Sequence, residues 1–355
     1  MDRQTFYSMC EDLKAQAAFN HQLSLQFGEC RILVEATHAQ IITELSEYFR
    51  DFQEVSAAPP FFTVFVIQRD DFAIDELDFA IKNPDPGKTK IKEAWIDAEG
   101  GRIVRKVITG MHFFMADEVN IAIGPVLENL NQIINFINNR FIQYQVHQGY
   151  LLCHAAALQL MGKGVAIAGF SGAGKSTFAL HLMDSTARFV SNDRLLVRRG
   201  GDQVSMYGVA KHPRINPGTI INNPDLVSLL PDPERYRRMP PEVLWTLEEK
   251  YDGIIHEIYG EDRFRLHSLL DVFIVLGWTR DSVEPMRMEE VELSMAPHLL
   301  EAIMKSPGLF FTPTQTLVMD QEAYLRELEP VRMLLFTGKV DFAAAARLVR
   351  DTLSR

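Results

Sequence analysis

Gly169-Phe170-Ser171-Gly172-Ala173-Gly174-Lys175-Ser176 fits the pattern G-x-x-x-x-G-K-[ST] at every defined position. Glycines let such a loop curl tightly and turn successive N–H groups inward, which makes a concave nest for phosphate oxygens. Lys175 brings a compact positive charge to the outer phosphates, and the Ser176 hydroxyl is placed to ligate Mg2+. The flanks agree with this reading. Gly164-Val165-Ala166-Ile167-Ala168 is a short apolar run of strand type, and Thr177-Phe178-Ala179-Leu180-His181-Leu182-Met183 reads as a helix. Its N-terminal end would add a positive pole to the nest. The nucleotide-contacting residues expected from this stretch are Gly169, Ser171, Gly172, Ala173, Gly174, Lys175, Ser176 and Thr177.

Upstream of the loop, Leu151 to Leu160 reads as a strand, and Gly162-Lys163-Gly164 is a tight turn into the pre-loop strand. An antiparallel hairpin therefore feeds the loop. The usual phosphate-loop domain reaches it through a parallel sheet with helical crossovers, so the spacing predicts an α/β domain with a mixed sheet. Ahead of it stands a separate α+β region. Cys30–Ala36 and Phe61–Ile67 are expected strands, and Thr37 is expected to cap a helix over 38–52 with Ile41, Ile42, Leu45 and Phe49 on one face. Gly100-Gly101 reads as a turn before the strand Ile103–Ile108, and Pro125 opens a connecting helix carrying Ile133, Ile134, Ile137 and Phe141. Beyond Trp278, helices are expected from Pro297 to about Lys305 and from Phe342 to Thr352. The expected division is residues 1–148, 149–290 for the phosphate-loop domain, and 291–355 as a mainly helical C-terminal extension.

The 355 residues are 47% hydrophobic and 23% charged, ordinary for a globular protein, and ample for a buried core. A net charge of −11 argues against a nucleic-acid partner. The apolar run Leu269–Leu276 is too short to span a bilayer, so no membrane partner is expected. The three cysteines, Cys10, Cys30 and Cys153, are far apart and lack zinc spacing. With no apolar leader behind a basic start, they predict a cytoplasmic location.

From about Leu151 to Val197 the chain resembles the kinase domain of HPr kinase/phosphorylase, whose fold is related to ATP-dependent phosphoenolpyruvate carboxykinase. Three features carry the likeness: His154 on the strand before the hairpin, the loop Gly169–Thr177, and Phe189-Val190-Ser191-Asn192-Asp193, where the family has a strand ending in two adjacent aspartates. The resemblance implies a kinase using ATP and Mg2+ on a hydroxyl, with a protein or peptide serine as acceptor and with self-association into a homo-oligomer. It implies catalytic roles for Lys175, His154 and Asp193, and Mg2+ ligation by Ser176 and Asp193. It does not extend over residues 1–148. Glu257 is a candidate for a further metal-binding carboxylate on residue type alone. Arg214, in the basic stretch Lys211-His212-Pro213-Arg214, would suit a bidentate phosphate contact. Arg194 should face away from the phosphate site if Asp193 faces it, because neighbours on a strand point oppositely.

One position departs from the family. Asn192 stands where the first aspartate serves as general base, and an amide takes up no proton at neutral pH. Asp193 could act as base, with His154; or Asp193 could hold Mg2+ while transfer relies on positioning and charge; or the site could bind nucleotide without transferring it. Three functions follow: a kinase acting on a protein or peptide, a non-catalytic ATP-binding regulatory module, and a small-molecule kinase.

Overall fold

The computed structural model describes the chain apart from residues 55–57, 75–76, 85–88, 171, 248, 313–318 and 355. It divides into two units, Met1–His147 with Pro307–Leu317, and Gln148–Ser306 with Val318–Arg355. Both are α/β with mixed parallel and antiparallel strand pairing.

The first unit is built on a sheet of eight strands: β1 (His21–Phe27), β2 (Cys30–Ala36), β3 (Phe62–Gln68), β4 (Ala80–Ile81), β5 (Glu93–Ala98), β6 (Gly101–Lys106), β7 (His112–Ala116) and β8 (Asn120–Gly124). Their order is β1-β2-β3-β8-β7-β6-β5-β4, with β2/β3 and β3/β8 parallel. Alternation fixes the faces: in β2, Cys30, Ile32, Val34 and Ala36 are buried while their neighbours are not. Helix α1 (Arg3–Ala15) lays Phe6 and Cys10, one turn apart, into the core beside Ile103, Phe114 and Ile121. Helix α2 (Ala39–Tyr48) buries Ile41 and Leu45. His38 caps α2 by accepting from Gln40 N at 3.2 Å, and Thr37, expected in that role, accepts instead from Gln68 N at 3.0 Å. Helix α3 (Leu130–His147) starts later than Pro125, which sits in the preceding turn. Its buried residues run round the whole helix and include Asn138, Asn139, Arg140, Gln143 and Gln145.

The second unit has two sheets. Its strands are β9 (Leu151–Cys153), β10 (Ala155–Leu160), β11 (Lys163–Gly169), β12 (Arg188–Ser191), β13 (Leu195–Gly200), β14 (Gln203–Tyr207), β15 (Arg214–Ile215), β16 (Tyr251–Asp252), β17 (His267–Leu269), β18 (Val272–Leu276), β19 (Arg287–Val291) and β20 (Arg332–Thr337). One sheet runs β12-β10-β11-β18-β20-β19 and the other β17-β14-β13-β9, while β15 and β16 form a separate ribbon. The hairpin of β10 and β11 is antiparallel, and β11/β18 and β18/β20 are parallel. Strand β18 is buried along its whole length, as a strand flanked by parallel partners tends to be. The sheets approach so closely at Gly164 that a Cβ there would lie 1.7 Å from Leu269 O. Residues 291–355, expected as a mainly helical extension, put β20 into the six-stranded sheet between β18 and the edge strand β19, with Met333, Leu334 and Phe336 buried. The short apolar run Met333–Phe336 is a buried strand that its helical flanks obscure.

The run expected as one strand over residues 151–160 is two strands in two sheets. β9 pairs with β13 in one, and β10 pairs with β12 in the other. The chain changes sheet at His154, and it changes back between Ser191 at the end of β12 and Leu195 at the start of β13. Residues 192–194 lie in that second crossover. Register brings the two crossovers together, because Ala157 faces Ser191 on one side and Cys153 faces Leu195 on the other.

Candidate active site

The strand, loop and helix expected around the phosphate-loop pattern are present as β11, residues 170–174 and helix α4 (Lys175–Leu182). Gly174 caps α4 with φ +88°, and a Cβ there would lie 2.7 Å from the Phe342 ring. Both the left-handed backbone and that ring demand glycine. The loop is braced from outside by Trp278, whose Nε1 donates to Ala173 O at 2.9 Å, and by Phe178, Phe336 and Phe342 around the indole. The first-turn N–H groups of α4 have no acceptor within the helix, which leaves donors at the loop. Lys175 Nζ donates to Gly169 O at 2.8 Å. Ser176 is the second residue of α4, and the Thr177 hydroxyl pairs with that of Thr219 at 2.7 Å. Ser171 lies outside the described residues.

Where the sheets cross, His154 Nε2 donates to Asp193 Oδ1 at 2.9 Å, and Lys305 Nζ donates to Asp193 Oδ2 at 3.0 Å. The backbone holds this geometry as well: His154 N donates to Ile303 O at 2.7 Å and Lys305 N to Leu152 O at 3.1 Å. The 297–305 segment is thus laced to β9, and that lacing delivers Lys305 to Asp193. Burial alone would raise the Asp193 carboxyl, but the His154 hydrogen bond and the Lys305 charge outweigh it and hold the group well below the usual carboxylate range.

Asp193 carries one negative charge among several cations. Burial lowers Lys175, which Asp193 pulls upward and Lys305 pushes further down. Burial likewise lowers Lys211, with Arg194 adding to the fall and Asp193 opposing it. Arg194 is also lowered by burial and raised by Asp193. It was expected to face away, but residues 192–194 bend between sheets, so strand alternation does not govern them. Lys175, Lys211, Arg194 and Lys305 thus lie within electrostatic reach of one carboxylate. The surplus of positive charge, taken partly out of water, favours an added polyanion.

Sequence reasoning missed Lys305 as a member of this cluster, while Lys211 belongs to the basic stretch it singled out. Lys305 lies 112 residues from Asp193 in the chain, and no local pattern marks it. Arg214 is exposed on the β15–β16 ribbon and pairs with Asp252 at 3.3 Å. Among the described residues, no hydrogen bond or ion pair joins Arg214 to the loop or to Asp193. Glu257 is exposed on the short helix Ile255–Tyr259, likewise without such a link.

The residues present fit a magnesium nucleotide. Ser176 and Asp193 offer hard oxygen ligands of the kind Mg2+ takes. Asn192 Oδ1, next in the chain to Asp193, is buried and has no hydrogen-bond partner among the described residues. No family model and no curated protein matches the chain. Among solved structures, the Hpr(Ser) kinase/phosphatase from Coxiella burnetii is similar at 12% identity, over 57% of this chain and 95% of its own, with a TM-score of 0.32. A likeness that slight carries no argument. Among the described residues no helix is long and apolar enough to cross a membrane.

Proposed function

We propose that the second unit is a kinase that transfers the γ-phosphoryl group of ATP to a hydroxyl of a protein or peptide, serine above all. The observation that carries this reading is the His154–Asp193–Lys305 cluster at the sheet crossing, whose charges act on Lys175 of the phosphate loop. Loop N–H groups and Lys175 would hold the β- and γ-phosphates. Mg2+ arriving with the nucleotide would be held by Ser176 and would neutralise phosphate charge, which leaves Asp193 to the acceptor. The acceptor hydroxyl oxygen forms a bond to the γ-phosphorus while the bond to the β,γ-bridging oxygen breaks. ADP leaves with that electron pair, and the hydroxyl proton passes to Asp193.

Asp193 paired to Lys305 is a weak base. Incoming γ-phosphate oxygens would draw Lys305 toward themselves, and the carboxylate would regain basicity as the nucleotide arrives. Loose phosphoryl transfer asks little more of a base than this. His154 would keep Asp193 oriented throughout.

The test is transfer from γ-labelled Mg-ATP to acceptors in a cell extract, in parallel with calorimetric titration of nucleotide. Label on an acceptor that disappears with Lys175→Ala supports the kinase. Nucleotide binding without transfer to any acceptor supports a regulatory module. That second reading draws on Asn192, which offers an amide where a base would serve, and Asn192→Asp should then create transfer. Transfer only to small hydroxylic metabolites would mark a small-molecule kinase. No association with Mg-ATP at about millimolar concentration would end all three.

A further inference from the structure

Helix α3 of the first unit carries a charge that nothing among the described residues answers. Arg140 is 3% exposed, and its Nε and Nη2 are buried without a hydrogen-bond partner. Neither a hydrogen bond nor an ion pair is formed by this guanidinium with any described residue. The Phe136 ring lies near it, 5.6 Å from centroid to Cζ. Burial pushes the group down to about 9, with no neighbouring carboxylate countering the fall. Buried arginines are ordinarily paired, because an isolated charge out of water is costly.

Arg140 lines a cavity of about 130 Å3 together with Phe61, Phe62, Asn120, Gln143 and Tyr144, with Ala116, Asp117 and His147 completing the wall. The amides on that wall are already engaged. Asn120 Nδ2 donates to Thr63 O at 3.2 Å, Gln143 Nε2 donates to Thr312 Oγ1 at 2.9 Å, and Gln143 Oε1 accepts from Thr312 N at 3.0 Å. Their bonds set the shape of the wall and leave Arg140 as its open donor. The Phe61 ring packs at a tilt against Tyr144, 5.1 Å between centroids, and supplies an apolar side.

We propose that this cavity is a binding site for a small monoanionic organic acid, whose carboxylate is held by Arg140. The guanidinium fork matches a carboxylate in two parallel hydrogen bonds. An apolar cavity of about 150 Å3 accommodates a benzene ring, so this one admits a short chain or a single ring. A dianion such as phosphate suits it less, because Asp117 stands exposed on the same wall and repels a second negative charge. The site is independent of the nucleotide reading of the other unit.

Fluorine NMR on the full chain tests it with two probes, 4-fluorobenzoate and trifluoroacetate. At least one should bind saturably below about 20 mM, and roughly tenfold more weakly to Arg140→Met. The neutral 4-fluorobenzamide should not compete, and inorganic phosphate at equal concentration should not displace the bound probe. Saturation by neither probe, equal affinity in Arg140→Met, or displacement by phosphate overturns the proposal. Asp117→Asn keeps Arg140 and guards against misfolding of the first variant. It should tighten probe binding by about twofold at low salt, and unchanged or weaker binding would place the probe elsewhere.

Discussion

Asp193 keeps about half of its side chain in water and Arg140 almost none, and their surroundings differ in kind. Asp193 has both carboxylate oxygens occupied, by His154 and Lys305, and further cations within reach. Arg140 has an aromatic ring and a cavity. The first is organised by its own hydrogen bonds before any ligand arrives, so a ligand there redistributes partners that already exist. The second is held by packing alone along an 18-residue helix, so a ligand there would supply the missing partner. Preorganised groups serve chemistry, while an unanswered charge lowers stability until something binds. Substitutions should therefore act in opposite directions at the two places.

The largest effect is expected at Asp193. If it takes the acceptor's proton, Asp193→Asn should lower phosphoryl transfer by about 10^3-fold. Nucleotide affinity should hold or tighten, since removing the Asp193 charge leaves Lys175 and Lys305 more attractive to phosphate. Lys175→Ala should act the other way round, weakening Mg-ATP by about 10^2-fold in calorimetry. A variant of Asp193 with undiminished transfer would show that the cluster at the crossing is structural.

Much of the loop could be read in the sequence because its chemistry is local: eight adjacent residues state both the backbone conformation and the charge. His154 and Asp193 were also legible, through a resemblance spanning little more than the hairpin and the next strand. Their contact was not, because it depends on a change of sheet at His154 that an unbroken apolar run conceals. Lys305 reaches the site through backbone pairing of residues 303–305 with residues 152–154, which leaves no trace in spacing. β20 was hidden for a related reason, a short apolar segment between helices whose burial depends on β18 and β19 beside it. Arg140 was passed over because it sits among apolar residues at helical spacing, where an arginine reads as the edge of a core stripe.

Two stability measurements of middling size sharpen the contrast. Gly174→Ala should destabilise the second unit by about 1–2 kcal/mol for the left-handed backbone alone, with displacement of Phe342 adding to it. Arg140→Met should stabilise the first unit by about 1–3 kcal/mol, seen as a rise of several degrees in melting temperature. A fall in melting temperature would show that the guanidinium has partners in solution, water included, and that the proposed opposition between the two sites is false.

The smallest effect expected is acid dependence. The Asp193 carboxyl titrates well below its ordinary range in the folded chain, so the stability it contributes is fully present above about pH 4 and is lost as pH falls toward the folded value. The side chain remains 49% exposed, so solvent screening holds the contribution to less than about 1 kcal/mol. Urea unfolding of the native chain and Asp193→Asn at about pH 7 and about pH 3 would measure it. The native chain should lead at the higher pH, and the two midpoints should draw together at the lower. An advantage no smaller at about pH 3 than at about pH 7 would mean that the carboxylate does not carry it, and that Asp193 stabilises the crossing by packing, as Arg140 is held in its helix.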